Sequence, residues 1–467
     1  MNPDQIALIL GVGVMLALSY AVSPRVATLD GFFRGRQANG AAPGLWTLVL
    51  SLVTTWIFAR SLLTAAILAF YYGVPGALAY TAYYLSFFTG GLVIDRLRRH
   101  HRTESIQDFL RDRFGRAGPL CFNIVIVARL LSEVFANLLV VGLIFGAAGG
   151  GAYSGAIVAL SLATLAYSML GGLSASLRSD VLQMIVFFVL LVVVWVSTIN
   201  MGIGNLPELF SGVTIDDGPG WVLLVVALLQ VWSYPLHDPV MTDRGFLADA
   251  AVTRRSFRLA GGLSMACIFA FAMLGVVAAG QAAPGEGFQV ALGRVLGPHV
   301  MVLVNLALIV SAVSTLDSTL SSAAKLLVMD MGVVRPTLLN GRIAMAACMA
   351  GGLLFLFLGS KELYTAVAVS GTASMFLAPV IAFSIFGDKA IPAASYVVAF
   401  VAAMAGAVLY FLESSAGTNL VGPLVGVEHK YSKLLVICIA VLGTGFAAFA
   451  LGAVWQGRAA TSRRSTT

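Results

Sequence analysis

Hydroxyl- and carboxylate-bearing residues crowd one apolar stretch, ALIVSAVSTLDSTLSSAAKLLVMDM, among them Ser311, Ser314, Thr315, Asp317, Ser318, Ser321 and Ser322. At helical spacing, Ser311, Ser314, Thr315, Ser318 and Ser321 fall along one face, with Asp317 beside it. Ser and Thr often join membrane helices to one another, but that use needs no carboxylate halfway through a bilayer. Hydroxyls and a carboxylate, with no imidazole or thiolate among them, suit a hard alkali cation better than a transition metal.

The other ionisable residues inside apolar runs are few: Arg60, Arg129, Glu133, Asp180, His237, Asp238 and Lys325. Such residues are costly in lipid and mark pathways or sites. Arg129 and Glu133 stand four apart on one helix, so they either pair with each other or face a solute. Lys325 lies near the end of its run and can snorkel to the interface. Arg60 has no acid three or four residues away. It needs an anion from elsewhere, a watery cavity, or a carboxylate solute for its bidentate fork.

The elements that must position these groups are membrane helices. Of 467 residues, 59% are hydrophobic and 10% charged, against about 25% charged in a soluble domain. That excludes a water-soluble enzyme, a nucleic-acid binder and a disordered chain. With ~20 apolar residues per crossing, the chain reads as all-α and polytopic. About thirteen spans are expected, near 5–23, 45–72, 76–95, 119–147, 153–171, 181–201, 220–241, 259–280, 300–328, 339–359, 363–386, 391–412 and 431–455. The first has no basic leader or cleavage site, so it reads as a helix that stays. Cys121, Cys267, Cys348 and Cys438 lie within apolar runs without metal-ligand spacing.

The second span is too long for one untilted crossing and holds a polar patch at Thr54, Thr55, Arg60, Ser61 and Thr64. The seventh contains VWSYPLHDPV, where Pro235 and Pro239 loosen the helical ladder. Two interrupted spans, five apart, are the mark of an inverted-repeat transporter with its site near the midplane. Spans 2–6 (45–201) and 7–11 (220–386) would be the repeats. Residues 1–44 supply an extra N-terminal helix and loop, and 387–467 extra C-terminal helices and a tail, all within one domain.

Lys and Arg set the orientation. Twenty-one of the 28 gather on one side, among them Arg34, Arg98, Arg111, Arg244, Arg254 and Arg342, against four (Arg294, Lys361, Lys430 and Lys433) on the other. This places the N-terminus outside and the C-terminus in the cytoplasm, in a plasma membrane of the bacterial inner-membrane kind. The 202–219 loop, with Glu208, Asp216 and Asp217 and no base, suits the outside.

Four motifs then resemble the sodium:solute symporter family, the group of proline, pantothenate, sialic acid and sodium/glucose transporters. They are FFRGRQ (Phe32–Gln37), YSMLGGLSASLRSDVLQ (Tyr167–Gln183), DPVMTDRGFLA (Asp238–Ala248) and VSTLDSTLSSAAKLLVMD (Val313–Asp330). The resemblance implies a LeuT-like 5+5 inverted repeat. It also implies a sodium site made by the backbone carbonyls of Thr54, Ile57 and Ser311 with the hydroxyls of Ser314 and Thr315. A second sodium, held in some members, would map to Asp180, Ser314, Asp317 and Ser318, though Asp180 could equally line the ion's cytoplasmic exit. The solute would sit among Phe58, Arg60 and Ser61 of the broken second span, Arg129 and Glu133 of the fourth, and Trp232, Tyr234, His237 and Asp238 of the seventh.

The function implied is sodium-coupled symport of a small organic solute, a carboxylate or amino acid among the candidates, by alternating access. The partners are that solute and the bilayer, without nucleic acid. A proton-coupled carrier with Asp180 or Asp317 titrating, or a transporter-like receptor working with a separate partner, are the alternatives. No nucleotide loop, zinc motif or haem-spaced histidine pair points to an enzyme.

Overall fold

The computed structural model describes residues 3–203, 209–210, 218–358, 363–415 and 418–464, and these contain helices without a strand. In chain order the helices are α1 (Pro3–Val22), α2 (Leu29–Arg34), α3 (Leu45–Trp56), α4 (Ala59–Ala82), α5 (Ser86–Arg99) and α6 (Ile106–Phe114). There follow α7 (Ala117–Phe145), α8 (Gly151–Gly171), α9 (Leu173–Asn200), α10 (Pro219–Gln230), α11 (Pro239–Gly245) and α12 (Ala250–Gly280). The last are α13 (Phe288–Lys325), α14 (Leu338–Leu358), α15 (Leu363–Ser374), α16 (Leu377–Phe386), α17 (Ala393–Ser415) and α18 (Lys430–Arg464). Most of the expected 202–219 loop, including Glu208, Asp216 and Asp217, lies outside the described residues.

Among the described residues ten helices are long and apolar enough to cross a membrane, and a pair within α15 and α16, bent by 42°, makes an eleventh. The shortfall from thirteen falls where the sequence reading expected breaks. α3 and α10 are each 12 residues long, too short to pass alone. The outer half of the second span runs on with the third as one 41-residue stretch, Ala59–Arg99.

Local sequence explains the bends. Gly73 adopts φ 61°, a left-handed conformation that Pro75 then fixes, and the chain turns between the second and third spans. Gly297 (φ 73°) before Pro298 likewise sets the start of α13 apart from its long shaft. Gly172 (φ 55°) joins α8 to α9 so closely that any side chain there would strike Phe32. The expected GG of the Tyr167–Gln183 segment is therefore a steric hinge.

Packing gathers the polar positions. α9 and α13 lie along each other, α3 rests on both, α12 packs on α3 and α4, and α7 closes the remaining side of α13.

Candidate ion and solute site

α3 stops without glycine or proline. Ile57 (φ −82°, ψ 73°) and Phe58 (ψ 148°) leave helical conformation, and α4 restarts at Ala59. The end is held by tertiary hydrogen bonds to carbonyls that a helix terminus leaves unpaired. Tyr84 Oη donates to Trp56 O at 2.7 Å, and Ser311 Oγ, from α13, donates to Ile57 O.

Around this end the first expected group converges. Thr315 Oγ1 donates to Ser311 O at 2.9 Å, and Thr54 Oγ1 to Leu50 O at 2.6 Å. Each hydroxyl directs its proton to its own helix, which leaves oxygen lone pairs for a cation. Ser314 Oγ donates to Asp180 Oδ1 at 3.0 Å, while Thr54 Oγ1 lies 3.3 Å from Asp180 O. The structure thus brings Thr54, Ile57, Ser311, Ser314 and Thr315 together at the α3–α13 contact, with Asp180 of α9 bridging both helices.

Beside them lies a residue the sequence reading misplaced. Arg244, expected in a cytoplasmic loop, is fully buried on the short helix α11. Its Nη2 reaches Asp180 Oδ2 at 3.1 Å, Ser318 Oγ at 2.9 Å and Ser176 Oγ at 3.2 Å. Its Nε donates to Ser51 Oγ at 2.6 Å and its Nη1 to Val240 O at 3.0 Å. Asp317 points to the next group: Tyr167 Oη and Ser179 Oγ donate to its Oδ2 at 2.6 and 2.7 Å. Gln183 reaches Tyr167 Oη and Ser19 Oγ, so the tyrosine, aspartate and glutamine of the Tyr167–Gln183 motif meet in one network. The motif DPVMTDRGFLA could have revealed Arg244, because its arginine follows a proline-broken span too closely to have left the membrane.

The expected solute residues split. Arg129 and Glu133 do pair, at 3.4 Å, but Arg129 Nη2 also donates to Asp238 Oδ2 at 3.2 Å. Asp238 Oδ1 caps α11 by accepting from Val240 N and Met241 N at 3.0 and 3.1 Å. The Phe58 ring lies between two guanidiniums, 5.6 Å from Arg60 and 5.4 Å from Arg129, and Tyr234 stacks 5.7 Å from Arg129. His237 Nδ1 contacts Tyr234 O at 2.5 Å and its Nε2 contacts Ser370 Oγ at 3.0 Å. A carbonyl only accepts, so Nδ1 donates to it, and the Ser370 hydroxyl can pair with Nε2 in either role. Ser61 Oγ accepts from Tyr80 Oη at 2.9 Å. Trp232 does not belong here. It is 51% exposed while Tyr234, His237 and Asp238 are buried, since the resemblance that assigned it does not say which side chains face inward in the turn after α10. Trp56 takes the inward place, edge-on to Tyr84 and Tyr234.

Two charged features flank this core. Arg34, Arg36, Arg98, Arg102 and Arg111 line a cleft of about 830 Å³ that reaches Lys325, itself 2.6 Å from Asp243 and 3.1 Å from Asp330. Lys325 is thus anchored by two carboxylates. At the same end Asp388 meets His100 and accepts from Arg113 Nη2 at 2.9 Å, which clasps α5 and α6 to the end of α16. The His100 hydrogen bond, with Arg113 behind it, holds the Asp388 carboxyl below its usual range. His100, His101 and Asp388 lie close enough to share a metal ion, but Arg96 and Arg113 already compensate that carboxylate.

Residues 38–214 match the family model described as the sodium:solute symporter family. No curated protein matches the chain significantly in sequence. In three dimensions the chain is similar to a Na+-coupled sialic acid symporter in a substrate-bound outward-open state. The TM-score is 0.70 at 16% identity, over 97% of this chain and 98% of that one. It is also similar to a nucleobase-cation-symport-1 family transporter in a closed conformation with bromovinylhydantoin bound. There the TM-score is 0.58 at 14% identity, over 92% and 96% of the two chains. At these identities the likeness shows the fold, which is the LeuT-like one that the family resemblance implied. Of the four motifs that carry the family resemblance, the matched residues include Tyr167–Gln183.

Proposed function

We propose that this chain, a multi-pass membrane protein whose residues 38–214 carry the sodium:solute symporter pattern, is a sodium-coupled symporter of a small organic solute. The observation that carries the reading is the seam between the end of α3 and α13, where Ser311 bonds Ile57 O and Thr54 and Ser314 both reach Asp180. Sodium would take the carbonyls of Thr54, Ile57 and Ser311 and the hydroxyls of Ser314 and Thr315. The carbonyl end of a helix carries partial negative charge and favours a cation, and each carbonyl oxygen keeps a second lone pair beside its hydrogen bond.

An ion held by both helices favours the conformer in which they meet, and only such differential affinity can move an equilibrium. If the solute closes the same conformer, ion and solute cross together. One net charge falling through 100 mV contributes about 2.3 kcal/mol, enough to hold a neutral or zwitterionic solute at roughly a 50-fold gradient. A monoanion crossing with one sodium carries no net charge and is driven by the sodium gradient alone.

A second sodium at Asp180 and Ser318 is disfavoured here, because the Arg244 guanidinium already neutralises Asp180 and donates to Ser318. We assign a single coupling ion. The arginine-lined cleft supports a cytoplasmic placement of that end, with the N-terminus outside in a plasma membrane. Two repeats, 45–201 and 220–386, are supported by the broken helix that opens each and by the short helices Ile106–Phe114 and Phe288–Leu296 at corresponding points.

The test is melting of the purified protein in sodium against potassium at fixed pH. Wild type gains stability with sodium. Thr315→Ala raises the half-saturating concentration roughly tenfold, the equivalent of about 1.4 kcal/mol. Equal melting in both salts, with uptake that follows the pH gradient instead, would move the coupling to a proton.

A further inference from the structure

We infer that the solute is an organic monocarboxylate and that Arg60 is the group that receives it. This rests on the symport reading and names the solute class for its binding site. Arg60 is fully buried, and Nε, Nη1 and Nη2 find no hydrogen-bond partner among the described residues. A buried guanidinium without acceptors is heavily penalised unless something else supplies them.

Among the described residues no carboxylate forms an ion pair with Arg60. Glu133 and Asp238 bond Arg129, and Asp238 also caps α11. Arg60 itself stands in the first turn of α4. Phe58 there gives no side-chain cap, and Leu62 N, bonded to Phe58 O, is the first amide to close the helix. The positive end of α4 and the guanidinium therefore add at one place, and both favour an anion.

A second orphan sits on the other side of the break. Trp56 Nε1 is buried without a partner among the described residues. Indole N–H and guanidinium are donors only, so what they await is an acceptor. A carboxylate is an acceptor only, and its two oxygens fit the guanidinium fork. Aromatic rings flank the break, Phe58 against Arg60 and Trp56 against Tyr234, and suit a flat or apolar body. Glu133 Oε2 is an unpartnered acceptor and suits a hydroxyl on the same solute.

The experiment uses the full chain in detergent, with phenylacetate and mandelate and their neutral amides as probes, in sodium. The carboxylates raise the melting temperature of wild type and half-saturate at roughly tenfold or more lower concentration than the amides. Arg60→Gln abolishes that difference, and Arg60→Lys restores part of it. Arg60→Gln melts no lower than wild type without solute, which shows that the variant folds. The inference is overturned if the amides bind as well as the acids, if Arg60→Gln binds the acids like wild type, or if neither acid gives a shift. Melting in sodium alone, without solute, reports the ion site separately. Should sodium still stabilise while the acids fail, the solute class is wrong and the coupling reading stands.

Discussion

Arg244 and Arg60 are the same side chain at the same burial, both fully out of solvent, in opposite company. Every nitrogen of Arg244 has an acceptor, from Ser51, Asp180, Ser176, Ser318 or Val240. None of Arg60 has one among the described residues, and its guanidinium lies 5.6 Å from the centre of the Phe58 ring. Burial of a charge is therefore no guide to its use. What separates a structural cation from one that awaits a ligand is the inventory of acceptors around it, because a desolvated charge must be paired by something.

The largest expected effect tests that contrast directly. Arg244→Gln leaves the Asp180 carboxylate buried without its charge partner and is expected to destabilise by ~3–5 kcal/mol. The matching change at the other site, Arg60→Gln, removes an unpaired charge and is expected to leave the melting temperature unchanged or raised. Adding Asp180→Asn to Arg244→Gln should return much of the loss, since both charges are then gone. Equal losses at the two arginines, read by thermal unfolding in one detergent, would erase the distinction.

The two sites were also unequally legible in the sequence. Arg60 stood out because no acid occupies a neighbouring helical position. The Ser311–Ser321 stripe stood out by its spacing, and the structure sets it against α3 and α9. Arg244 was invisible as a buried group. Its run, DPVMTDRGFLA, is polar and follows a proline-broken helix, which reads as a loop until one sees the seven-residue α11 folded back into the core. Trp232, assigned through the resemblance, failed because a motif match does not say which side chains of a turn face inward. The span count failed where one crossing is built from two short helices. Spacing exposes faces of continuous helices, while breaks hide which residues return to the interior.

Arg129 stands between the extremes. Nη2 is shared by Asp238 and Glu133, while Nε and Nη1 have no partner among the described residues. Its acids differ in duty, since Asp238 also caps α11. Asp238→Asn can keep the cap and loses only the charge. Asp238→Ala loses both and should fall below the Asn variant by a further ~1 kcal/mol, the usual worth of an N-cap. Identical melting of the two variants would mean that the carboxylate serves Arg129 alone.

The smallest effect comes from an arginine in water. Arg294 is about half exposed and forks onto Glu286, with Nη2 to Oε2 at 2.7 Å and Nε to Oε1 at 3.1 Å. The pair, helped by Ala283 N, lowers the Glu286 carboxyl from an ordinary 4.5 to about 2. A depressed carboxylate pKa adds stability that is present above the unfolded value and lost as pH falls toward the folded one. The melting difference between wild type and Glu286→Gln should therefore be slight and flat from pH 7 down to about 5, then shrink below about 4.5. Exposed ion pairs are screened and contribute little, so any effect that approached the Arg244→Gln loss would contradict the ranking by desolvation. A difference that grew on acidification would contradict the sign.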